Sequence, residues 1–98
     1  MSSQRVARRL QDLQRRIVVV RESCQVLDEQ LAVWTEAFED ARLRSLMAET
    51  PQSDHDLADV RRHYDVAKRE RDRRGLELDQ MVSERDRLLR EWTPKEVP

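Results

Sequence analysis

Apolar residues recur at alternating steps of three and four from Val6 through Leu10, Leu13, Ile17, Val20, Cys24, Leu27, Leu31, Trp34, Phe38 and Ala41 to Ser45 and Ala48, with Ser45 the one polar member. That alternation keeps one side of an α-helix against a partner helix over many turns, the heptad signature of a coiled coil. It predicts a first helix over about residues 5–48, with Ser2 or Ser3 as its N-cap. A second stripe follows with the same alternation: Leu57, Val60, Tyr64, Ala67, Arg71, Arg74, Leu78, Met81, Arg85, Leu88 and Trp92. It predicts a second helix over about residues 54–92, weakest near Gly75, which costs about 1 kcal/mol relative to Ala. Between the two, Pro51 lacks an N–H and drives Thr50 out of the helical region, so residues 49–53 read as a turn with Ser53 and Asp56 as a capping box. Thr93-Pro94 ends the second helix, leaving 93–98 as a tail.

Two long stripes joined by so short a connection predict an antiparallel hairpin, because a parallel arrangement needs a longer crossover. Charge agrees with this folding. Residues 1–21 carry six Arg against one Asp (net +5) and 76–98 carry four bases against six acids (net −2); residues 22–59 carry two Arg against ten acids (net −8) and 60–75 carry seven bases against three acids (net +4). Doubling back near Pro51 lays each excess beside its opposite. The registry that best matches the stripes sets Trp34 against Tyr64 and Phe38 against Val60, with Leu10 opposite Leu88 and Ile17 opposite Met81. Its flanks then pair Arg9 with Glu91, Arg16 with Glu84 and Asp28 with Lys68. It also turns Arg74 and Arg71 toward Cys24 and Leu27. A buried guanidinium without a partner is expensive, so these side chains are expected to snorkel outward, to reach Asp28 or Glu29, or to meet acids of another molecule.

The expected fold is therefore all-α: one helical-hairpin domain spanning residues 1–98, an antiparallel coiled coil of two long helices. With 98 residues and 40% of them charged, a two-helix construction buries little surface, so a dimer forming a four-helix bundle is expected. Outside the main stripe, Val19, Val26 and Val33 make a second row at heptad spacing, and Val82, Leu89 and Trp92 widen the far end of the second helix. These six residues are the candidate surface for self-association or for a helical partner.

The remaining chemistry is sparse. One Cys and two His make no zinc site, and Cys24 reads as a small buried hydrophobe. Asp54, His55 and Asp59 form no closed ligand set. No scaffold holds a nucleophile against a base, so no enzymatic activity, metal or cofactor is expected. The longest apolar run, Ile17 to Val20, is far too short to span a bilayer, and the expected setting is the cytoplasm, away from membranes. Arg61, Arg62, Arg69 and Arg73 form a candidate charged contact surface, though interspersed acids make a solvated, salt-bridged face the simpler reading. The hairpin tip is acidic, with Glu49, Asp54, Asp56 and Asp59.

In outline, a long antiparallel hairpin with carboxylates at its tip, here spaced as Asp56-Leu57-Ala58-Asp59, resembles the transcription-cleavage Gre factors and the DksA-like regulators. The resemblance implies insertion of the hairpin into the secondary channel of RNA polymerase, where the Gre tip acids help hold a metal. The second domain or zinc element of those families has no counterpart in these residues. Two readings follow: a protein–protein interaction module acting as adaptor, regulator or structural coiled coil, and alternatively a regulator touching nucleic acid or RNA polymerase through its basic face or acidic tip.

Overall fold

A computed structural model describes residues 3–96, with side chains through Trp92. It contains two helices, α1 (Ser3–Ala48) and α2 (Pro51–Glu96), joined by Glu49 and Thr50 into a helical hairpin. The expected cap at Ser2 and the last residues of the expected tail lie outside the described residues. Both stripes are the protected sides of their helices. Every stripe residue from Val6 to Trp92 is buried or half-buried except Ala48.

The turn is shorter than the spacing of Pro51 and Ser53 predicts. Glu49 takes a left-handed conformation (φ 49°), and its N–H donates to Ser45 O at 3.1 Å, closing α1 with a single αL-type bond. Thr50, not Ser53, is the N-cap of α2. Its Oγ1 accepts from the Ser53 N–H (3.1 Å), and Ser53 Oγ accepts from the Thr50 N–H (3.2 Å), a reciprocal box in which Ser replaces the usual Glu. Pro51 is thereby the first helical residue. Its missing N–H is one that no helical carbonyl could have accepted, and its fixed φ already suits a helix, so the proline starts α2 where it was expected to interrupt the chain. At the other end the backbone stays helical through Thr93 and Pro94 to Glu96, past the expected stop at 92.

The hairpin divides into two compact units. Unit 1 combines α1 up to Ser23 with α2 from Arg74 onward. Its core is Leu13, Ile17, Val20 and Met81, the first two with no exposed surface at all. Ile17 and Val20 pay the modest helix-propensity penalty of β-branched residues, which their packing offsets. Gly75 lies within α2 without a positive φ. Arg9 forks across the pair, Nε and Nη2 donating to the two carboxylate oxygens of Glu84 at 2.7 and 2.8 Å. This differs by one heptad from the expected pairing with Glu91. Arg16, expected against Glu84, lies 3.9 Å from Asp12 on its own helix and also acts through space on the Glu84 carboxylate.

Unit 2 is Cys24–Arg73 and contains the turn. Cys24 and Ala41 are buried, while Leu27, Leu31, Trp34, Phe38, Leu57, Val60 and Tyr64 are half-buried. Trp34, expected against Tyr64, stacks on the neighbouring His63. Its indole lies flat on the His63 imidazole (centroids 4.5 Å, interplanar angle 9°), and Tyr64 packs at 5.2 Å against Phe38. Side chains on a helix lean toward its N-terminus, which for α2 carries Tyr64 toward the turn and so toward Phe38. Asp28 also changes partner. Arg71 leaves the stripe and donates from Nε to Asp28 Oδ1 at 2.6 Å, one of the outcomes expected for a guanidinium on the seam, while Lys68 turns to Asp72 at 2.9 Å.

Candidate functional site

The second row of valines is open to solvent. In unit 1 Val19 is 65% exposed beside the exposed Val18; in unit 2 Val26 and Val33 are 52% and 65% exposed. On α2, Leu89 is exposed, whereas Val82 and Trp92 are half-buried. The indole N–H of Trp92 is shielded from water without an acceptor among the described residues.

Each unit carries a shallow depression built around one of these valines. In unit 1, Val19 and Val20 line it with Arg15, Arg16, Arg74 and Glu77. Arg9, Arg15 and Arg16 all lie within 4.0 Å of the single carboxylate of Asp12, so positive charge is in local excess. In unit 2, Val33, Ala37 and Leu43 line a depression with Glu36, Glu39 and Asp40. Arg44 pairs with Asp40 one turn away, which leaves negative charge in excess there.

Three further apolar side chains near the end of α1 in unit 2 are open to solvent, and Leu43 shares the depression of Val33. Leu43, Leu46 and Met47 are 55%, 69% and 78% exposed. Their spacing of three and four was the available signal, masked because Ser45 and Ala48 in the same turns continue the main stripe.

The basic cluster carries its own counter-ions. Arg62 donates to Asp59 at 2.6 Å, Arg73 forks onto Glu70 at 2.7 and 3.3 Å, and Arg61 and Arg69 are exposed. Hydrogen bonding to Arg62 holds the Asp59 carboxyl below its ordinary range, and hydrogen bonding to Asp72 raises the Lys68 ammonium above its own. The acidic tip is likewise taken up locally. Asp54 accepts from Ser45 Oγ at 2.6 Å across the turn, Asp56 accepts from Gln52 Nε2 at 3.0 Å, and Glu49 forms the turn backbone. The structure therefore gives Asp54, Asp56 and Asp59 separate side-chain partners. Among the described residues no three His, Cys, Asp or Glu side chains gather around a common point, and no helix is long and apolar enough to cross a membrane.

No known protein family, characterised protein or solved structure is detectably similar to this chain.

Proposed function

We propose that the chain is a non-catalytic protein–protein interaction module of the cytoplasm, which self-associates as a coiled-coil homodimer into a four-helix bundle. The reading rests on one observation: Val26 and Val33 are more than half exposed on a helix whose protected stripe is already occupied. An exposed valine costs a helix roughly 0.5 kcal/mol relative to Ala and recovers little by packing within its own unit. Covering that row by another helix supplies the missing compensation. Leu43 shares the depression of Val33 and enlarges this apolar surface of unit 2.

Replacing Val26 and Val33 together by Glu tests this. Sedimentation equilibrium should give a dimer for the wild type and a monomer for the variant, with helicity by circular dichroism retained. An unchanged mass would remove the row from the interface. The reading through nucleic acid or RNA polymerase gains no comparable support, because Arg62, Arg73, Asp54, Asp56 and Asp59 already have partners on the chain.

A further inference from the structure

We infer that the second copy docks in opposite orientation, unit 1 of each molecule against unit 2 of the other, with the charges around Val19 and Val33 selecting that arrangement. The inference rests on the self-association proposed above and adds its geometry. By sequence, unit 1 carries eleven bases against eight acids, net +3, and unit 2 carries eight bases against twelve acids, net −4. The difference is concentrated at the exposed valines. The depression around Val19 holds Arg15, Arg16 and Arg74 against Asp12 and Glu77, net +1, whereas the one around Val33 holds Glu36, Glu39 and Asp40, net −3.

Like-oriented docking would set +3 against +3 at one contact and −4 against −4 at the other. Opposite orientation sets Arg15 and Arg16 by Glu36 and Glu39, and a two-fold axis repeats the contact, so one complementary pair of patches closes the dimer. Charge complementarity of this kind chooses orientation by penalising the wrong one more than by strengthening the right one.

The test is a charge exchange on the full chain. Variant A carries Arg15→Glu with Arg16→Glu; variant B carries Glu36→Arg with Glu39→Arg. In the opposed dimer, A alone meets acid with acid and B alone meets base with base. Each should dissociate at least about tenfold more readily than the wild type by sedimentation. Mixing A with B restores opposite charges at both contacts, and so does placing all four substitutions in one chain. Both should recover the wild-type dissociation constant to within about threefold.

A like-oriented dimer behaves differently: A merely exchanges one like-charged contact for another, so a wild-type affinity for A overturns the orientation while leaving self-association intact. A wild type that is monomeric at every concentration overturns the self-association too, and assigns the exposed row to a different protein. Circular dichroism of A and B guards against loss of folding, and recovery in the mixture shows directly that both chains remain competent.

Discussion

Arg9 and Glu84 form the most complete ion pair of unit 1, two parallel N–H···O bonds from one guanidinium to one carboxylate. That hydrogen bonding holds the Glu84 carboxyl below its ordinary value of 4.5. The consequence for stability has a definite sign. Because the folded pKa is lower than the unfolded one, the contribution is fully present above the ordinary carboxylate range and is lost as pH falls through the folded value. Thermal midpoints should therefore decline on acidification from about pH 5 to about pH 3, with Glu84 among the groups responsible. Glu84→Gln should lower the midpoint at neutral pH and flatten that acid limb; an unaltered limb would show that the pair is too solvated to matter. Arg71 illustrates a different use of the same side chain. Placed by sequence on the apolar stripe, it keeps its stem there and carries its charge out to Asp28, whose bond raises the guanidinium pKa further.

Among the elements, the turn holds the clearest reserve of stability. Glu49 occupies a left-handed position where a Cβ is unfavourable by about 1–2 kcal/mol, and no side-chain bond of Glu49 to the other described residues offsets it. Glu49→Gly should raise stability by about 0.5–1 kcal/mol in urea unfolding, after allowing for the greater freedom of Gly in the unfolded chain. Glu49→Ala removes the same charge without relieving the backbone, so it should leave stability nearly unchanged. If both variants gain equally, the gain comes from charge and not from φ. The same turn shows where sequence reasoning succeeds and stops. The alternating stripe identifies the protected side of each helix nearly residue by residue, because helical periodicity does not depend on what lies opposite. Flank pairing is different. Glu77, Glu84 and Glu91 recur at one flank position of α2, so charge alone does not choose among them, and Arg9 takes Glu84. Pro51 was ambiguous for a comparable reason. The same ring that ends a helix also begins one, and the Thr50–Ser53 box determines which.

For the molecule as a whole, the decisive quantity is how little is buried. Only Leu13, Ile17, Val20, Cys24, Ala41 and Met81 are buried among the described residues, and no polar side chain joins them. The exposed valines at heptad spacing were legible because they lie off the stripe, while Leu43, Leu46 and Met47 were hidden by the stripe running beside them. The self-association proposed above would add burial to so small a core, so it predicts that folding and association are linked. For a dimer that unfolds to two chains, each tenfold rise in protein concentration adds about 1.4 kcal/mol per dimer. With roughly 200 residues unfolding together, that raises the thermal midpoint by about 3–6 °C. Scanning calorimetry over a hundredfold concentration range should show this slope for the wild type. The Val26→Glu, Val33→Glu double variant should melt lower and at one temperature throughout. A wild-type midpoint independent of concentration would mean that the six buried side chains and the local ion pairs suffice, and that the open row contributes nothing to holding the hairpin together.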